Sequence, residues 1–244
     1  MLKIFRKIRR AVTLDEPTYH DMFLNPGERF FARLYLHSIR EVIRARSAGP
    51  LDILDAGCQA GRLAIPLAQE GHRVTGVDTS RVALSKAARH ARDSGVSLRL
   101  IRADLGAWLP KQKPGSFDMV LCNEVLYLRE NWRDLLQGLI RLLRPGGLSF
   151  ISHRPPSFAQ SQESGEGQVE GSYYNWQSRE ELERIYREQG IEALRIAAIW
   201  DIRRMVNPEK VSEEERERLY REETASAADS TADGRYLLVC GRKR

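Results

Sequence analysis

The chain has 244 residues, 42% of them hydrophobic and 30% charged, with a formal net charge of +6. That length suits one α/β domain with appendages. No stretch approaches about 18 consecutive apolar residues, which excludes a membrane-spanning helix.

Residues 1–10 alternate Leu2, Ile4, Phe5 and Ile8 with Lys3, Arg6, Lys7 and Arg9. This spells a short basic amphipathic helix, able to touch an anionic membrane weakly. No apolar core or small-residue cleavage site follows it, so a secretory signal is not expected and the setting is read as cytoplasmic. Residues 1–10 hold five cations and no acid, and residues 242–244 are Arg-Lys-Arg, so the stretch 11–241 carries a net −2. Basic tails on an acidic body argue against nucleic acid as partner, since such enzymes carry their positive stripe on the folded domain.

Asn25-Pro26-Gly27-Glu28 reads as a helix start, with a side-chain cap, Pro at the first position and an acid at the third. Apolar residues then recur at helical spacing through Ile43, making residues 1–49 an N-terminal helical extension. From residue 50 strand and helix alternate. Strands are expected at 51–56, 73–77, 97–102, 117–122 and 148–152, with helices at 62–69, 80–94 and from 131 to the Pro145-Gly146-Gly147 stop. Such βα units imply a mostly parallel sheet covered on both faces. Segment 158–171 is rich in Gln, Ser, Gly and Glu and reads as a mobile loop. Ser178 and Glu181 form a capping box for a helix to 188, and a sixth strand follows at 191–200. Residues 212–223 read as a charged, solvated helix, 224–234 as disordered, and 236–240 as the last strand. The domain is thus expected to run from 50 to 241, with mobile segments at 158–176 and 201–234.

Three acids stand at the ends of three successive strands. Ile53-Leu54-Asp55-Ala56-Gly57-Cys58-Gln59-Ala60-Gly61 is an apolar strand, an acid and a glycine-bearing turn, which lets backbone approach a ligand at the open end of the sheet. Val74-Thr75-Gly76-Val77-Asp78 ends in a carboxylate able to accept two ribose hydroxyls. In Ile101-Arg102-Ala103-Asp104-Leu105 an acid and an apolar neighbour suit an adenine amine and ring. A dinucleotide turn needs G-x-G-x-x-G, and Gln59 stands at its second glycine. Asp55 would repel a pyrophosphate but suits an ammonium and a sulfonium. The electrostatics select a cationic nucleoside ligand.

These segments, with Phe117-Asp118-Met119-Val120-Leu121-Cys122-Asn123 and Leu142-Leu143-Arg144-Pro145-Gly146-Gly147, resemble the class I S-adenosylmethionine-dependent methyltransferases across residues 51–152. The resemblance implies a three-layer Rossmann-like fold with a seven-stranded sheet whose last strand is antiparallel. It implies S-adenosylmethionine as cofactor, held by Asp55, Gly57, Gly61, Asp78, Thr79, Asp104, Leu105 and Asn123. The chain departs from the family at Gln59, where glycine is usual.

For a base on the acceptor, the candidates near the open end are His153, Tyr127 and Glu124; His153 is favoured because it follows the fifth strand and Pro155-Pro156 restrict its loop. Tyr173, Tyr174 and Trp176 are either an acceptor wall or a plug, with a wall preferred, and Tyr19 and His20 can close over the site. His37, His72 and His90 read as surface or helix residues. Cys58, Cys122 and Cys240 have no metal-ligand spacing and read as small buried thiols, so no metal is expected. The expected activity is methylation of an O, N or C atom of a small-molecule acceptor, lipid-like ones included. RNA methylation and a non-catalytic regulatory subunit of the same fold are the alternatives.

Overall fold

Asn25 starts the first helix by accepting the backbone N–H of Gly27 at 2.8 Å and of Glu28 at 3.2 Å. Helix α1 (Pro26–Arg44) buries Phe30, Leu34, Tyr35, Ile39 and Ile43 along one side. The computed structural model describes residues 25–45, 49–159, 164–169, 172–201, 210–226 and 234–244. The basic amphipathic segment at 1–10, Tyr19 and His20 lie outside the described residues.

After α1 the order is β1 (Asp52–Ala56), α2 (Ala64–Gln69), β2 (Arg73–Asp78), α3 (Arg81–Asp93), β3 (Arg99–Arg102), α4 (Leu105–Trp108) and β4 (Phe117–Cys122). Then come α5 (Trp132–Arg141), β5 (Leu143–His153), β6 (Gly165–Val169), β7 (Ser172–Trp176), α6 (Arg179–Glu188), β8 (Ile191–Asp201), α7 (Glu213–Ser226) and β9 (Gly234–Lys243). Seven strands form one sheet in the order β3-β2-β1-β4-β5-β9-β8. β1 to β5 pair in parallel, and β9 runs antiparallel to both β5 and β8. This is the Rossmann-like arrangement expected.

The strands have period two, so each divides its side chains between two apolar layers. Ile53, Met119, Leu121, Phe150 and Leu238 face α1, α2 and Leu219 of α7. Leu54, Val120, Cys122, Ile151 and Val239 face Leu105 of α4, Leu135 and Leu139 of α5, and Leu182 and Tyr186 of α6. Helix α1 is therefore one wall of the core. Helix α7 is not merely a solvated face, because Leu219 is buried against the α1 layer and Arg33 of α1 pairs with Glu217 and lies over the Tyr220 ring.

Two local expectations are corrected. Segment 158–176 holds an antiparallel hairpin, β6 with β7, in which Gly165 pairs with Trp176 and Val169 with Ser172. Residues 224–226 continue helix α7. His90 lies on helix α3, as expected, and is buried there. The three cysteines are free and buried. Among the described residues no helix is long and apolar enough to cross a membrane, and no group of three or more His, Cys, Asp or Glu can hold a metal ion.

Candidate functional site

The turn after β1 is built on left-handed backbone. Gly57 has φ +84°, Gly61 φ +90° and Gln59, despite its side chain, φ +48°. A Cβ on Gly57 would lie 2.3 Å from Val125 Cγ2, and one on Gly61 2.7 Å from Ile65 Cδ1. Only glycine fits either place. β2 holds the turn from beside it: the N–H groups of Gly57 and Cys58 donate to the Val77 carbonyl at 2.8 and 3.2 Å. Asp78 accepts the N–H of Gln59 at 3.0 Å and of Ser80 at 2.8 Å.

Between this turn and the end of β4 lies a recess of about 400 Å³, counting space open to solvent, lined by Asp55, Gly57, Cys58, Gln59, Arg62, Asn123, Glu124 and Val125 among others. Asp55 is 4% exposed. Burial raises its pKa to about 7, with Asp78 adding to the rise and the Arg62 guanidinium opposing it. Arg62 itself is bracketed by carboxylates, Glu28 of α1 at 2.8 Å and Glu124 at 2.7 Å, and lies over the Tyr35 ring. Glu124 sits in left-handed backbone at φ +62°. Its N–H donates to Ser152 Oγ at 2.7 Å, and its second carboxylate oxygen accepts from Tyr236 at 2.9 Å. Acids outnumber bases around the recess, so its field suits a cation. Asn123 is buried on its wall, and neither its amide nitrogen nor its amide oxygen has a hydrogen-bond partner within the protein.

Asp104 lies at the end of β3, where it caps α4 by accepting the N–H of Gly106 at 2.9 Å. Its other oxygen takes Arg129 at 2.8 Å, and that guanidinium holds the carboxyl below the usual range. Leu105 beside it is buried. Thr79 is exposed after β2, its carbonyl accepting from Arg102.

The structure withdraws His153 from the role of base. It is 0% exposed, its Nε2 lies 2.8 Å from the Tyr186 hydroxyl and its Nδ1 3.3 Å from Gln177 Oε1, and Trp132 packs against its ring. Burial lowers its pKa to about 4. Being the last residue of β5, it points by strand alternation into the α5–α6 layer rather than toward the open end. Tyr127 is also buried, in a cluster with Tyr174 and Tyr236 against which Trp176 packs. Tyr174 and Trp176 thus close down as a plug, while Tyr173 turns away to donate to Glu166 at 2.6 Å. Of the three candidates, Glu124 alone lines the recess.

Sequence reasoning passed over Glu28, Arg62, Arg129, Arg154 and Tyr236. Arg62 directly follows Gly61 and Arg154 directly follows His153. Arg62 closing the glycine turn and Arg154 following a strand end were the available signals. Glu28 and Tyr236 gave none, because only the folded chain brings them to Arg62 and Glu124.

Comparison with known proteins is consistent with this geometry. Residues 53–147 match the family model described as a methyltransferase domain. A ubiquinone biosynthesis O-methyltransferase of Pseudomonas paraeruginosa is 38% identical over 111 residues, 45% of this chain and 46% of that protein. The chain spans less than half the length of the curated relatives it matches. The fold matches a Burkholderia thailandensis 1,6-didemethyltoxoflavin-N1-methyltransferase with TM-score 0.60 at 19% identity, covering 99% of this chain and 89% of that one. It also matches a Thermotoga maritima methyltransferase, described as a possible histamine N-methyltransferase, with TM-score 0.59 at 17% identity, covering 89% and 91%.

Proposed function

We propose that this chain is a class I S-adenosylmethionine-dependent methyltransferase that transfers a methyl group from that cofactor to an O, N or C atom of a small-molecule acceptor. The observation that carries the reading is Asn123. A buried amide with both polar atoms unpaired, beside a buried carboxylate in a recess with surplus negative charge, fits the polar, cationic methionine end of the cofactor. Asp55 and Asn123 face that end, Gly57 and Gly61 let backbone approach it, and Asp78 with Thr79 takes the ribose. Asp104 and Leu105 take the adenine amine and ring. Arg129 on Asp104 does not bar this, because its side chain is 34% exposed and its partner's 43%, a pairing that contributes little.

The bound cofactor supplies a methyl group on a sulfonium, already a good leaving group. The protein's share is then placement, holding the acceptor atom in line at the open end of the sheet. A base is needed only for an acceptor that still carries its proton, and Glu124 is the residue positioned for it. The relatives' names point to O-methylation of a quinone precursor or N-methylation of a small amine or heterocycle, all small molecules.

Calorimetric titration tests the reading. S-adenosylmethionine should bind the wild type, and NADH should not. Asp78→Ala should lower the affinity about ten- to a hundredfold, and Asn123→Ala about tenfold, by loss of hydrogen bonds to the ligand. Unchanged dissociation constants in both variants would remove this recess from cofactor binding.

A further inference from the structure

We propose that Asn175 is a positioning residue for the cofactor site: it pins the turn after β4 where cofactor binding needs it, and so couples hairpin β6–β7 to the recess. The proposal rests on reading the recess as the place where S-adenosylmethionine binds.

The segment after β4 touches the site at both ends. Asn123, Glu124 and Val125 line the recess, and Val125 stands so close to Gly57 that a Cβ there would meet its Cγ2. Leu126–Leu128 then make one 3-10 turn, in which Leu128 N–H donates to the Val125 carbonyl and Arg129 N–H to the Leu126 carbonyl, both at 3.1 Å. Arg129, at the far end, reaches Asp104 at 2.8 Å. The segment thus meets the methionine side of the site at its start and the adenine side at its finish. A single 3-10 turn is weakly held by its own bonds, so its setting depends on what grips it from outside.

Asn175 of β7 supplies the grip. It is 0% exposed, and its Nδ2 donates to the Leu126 carbonyl at 2.9 Å and to the Arg129 carbonyl at 3.3 Å. Carbonyls only accept, so the orientation of this amide is fixed and every bond behind it follows. Asn175 Oδ1 accepts from Gln177 Nε2 at 2.9 Å. Gln177 Oε1 therefore faces His153, whose Nδ1 carries the proton donated to it at 3.3 Å. His153 Nε2 is left to accept from the Tyr186 hydroxyl of α6 at 2.8 Å. Tyr186, His153, Gln177 and Asn175 are all buried and donate in one direction, from α6 to the turn, so each bond polarises the next. Tyr174 grips the same turn through its ring, which is parallel to that of Tyr127 within 7°. Stacked rings can slide, whereas bonds to two carbonyls three residues apart fix a register. By linkage, whatever Asn175 does for the cofactor, the cofactor does for the hairpin.

Calorimetric titration with S-adenosylhomocysteine and amide hydrogen exchange test the coupling. Asn175→Leu keeps the bulk of the side chain and removes its donors, and it should weaken S-adenosylhomocysteine about tenfold. The control is Ile191→Ala. Ile191 is buried at the opposite end of the sheet, paired with Lys243, and its loss should lower the urea midpoint while leaving that affinity unchanged. In the wild type under native conditions, where local opening exposes it, the Gln177 amide should exchange severalfold more slowly once S-adenosylhomocysteine is bound. That amide donates to the Arg154 carbonyl at 2.9 Å and lies outside the recess, so its protection has to travel through the turn. In Asn175→Leu the protection should vanish from Gln177 and persist at the Gln59 amide. Should Asn175→Leu not fold, the wild-type exchange decides alone. Wild-type affinity in Asn175→Leu, an equal loss in Ile191→Ala, or a Gln177 amide indifferent to the ligand overturns the coupling and leaves Asn175 a structural pin of the hairpin. Failure of the wild type to bind S-adenosylhomocysteine would instead sink the cofactor reading beneath it.

Discussion

The backbone N–H of Gln59 donates to the Asp78 carboxylate across 19 positions of sequence. The acid that ends the second strand therefore holds the glycine turn that ends the first. That bond comes from backbone, so it survives any change of the Gln59 side chain. Gln59 itself stands at φ +48°, a region that disfavours a Cβ. Gln59→Gly should raise the unfolding free energy by about 0.5–1 kcal/mol, the strain relieved being partly offset by the entropy of glycine. Urea denaturation reads this directly, and a loss of stability would show that the Gln59 side chain makes contacts outweighing its strain.

Arg62 is a counter-ion that Glu28 and Glu124 share. Arg62→Met should destabilise the protein by about 3–5 kcal/mol, because it removes the buried cation that bridges two largely buried carboxylates. Adding Glu28→Gln to that variant should recover part of the loss. If the single variant unfolds at the wild-type urea midpoint, the network carries no net stability.

Asp55 must be ionised to hold a cation, and its pKa stands near 7. Cofactor affinity should therefore rise with pH and level off above about 7, being about tenfold weaker at pH 6 than at pH 8. Folding shifts the opposite way. The folded state keeps a proton on Asp55 that the unfolded chain releases near pH 3.8, so stability of the ligand-free protein falls as pH rises from there to about 7. Asp55→Asn should bind weakly and without the pH dependence. A wild-type affinity that is flat between pH 6 and 8 would contradict this account.

His153 gives a stability signal in place of a catalytic one. Its folded pKa of about 4 lies below the usual 6.5, so its contribution is whole above pH 6.5 and is lost as pH falls through 4. His153→Ala should lower stability at neutral pH by about 2–4 kcal/mol, through the cavity and the stranded Tyr186 hydroxyl. It should leave turnover of the folded enzyme within about twofold of wild type, since the imidazole lies outside the recess. A hundredfold loss of turnover in folded His153→Ala would restore it as the base.

The part of this molecule legible in the sequence is the part set by local pattern. Asp55, Gly57, Gly61, Asp78 and Asp104 fall at strand ends because apolar runs and turn residues mark those ends, and the β1–β5 order follows from repeated βα units. Hairpin β6–β7 was hidden because Gly165-Glu166-Gly167-Gln168 carries no apolar alternation. His153 misled because nearness to a strand end fixes position along the strand but not the face. Strand register decides the face, and here it aims the ring at Tyr186. The ion network on Arg62 joins residues 34 and 62 positions away, a relationship no short motif encodes.

Strand β9 (Gly234–Lys243) follows every other element in sequence, yet it sits between β5 and β8 in the sheet. A ribosome delivers Asp55, Asp78, Asp104 and Asn123 long before it delivers Tyr236. During synthesis β5 lacks its neighbour on that side, and the emerging chain carries an open apolar edge until β9 docks. The Tyr236 hydroxyl bonds to Glu124 and Arg154 form only at that moment. The recess lined by Asp55, Gly57 and Asn123 is thus made of residues synthesised before β9, whereas the Tyr236 contacts arise late in folding, and a chain released before residue 234 has the residues of the one without the other.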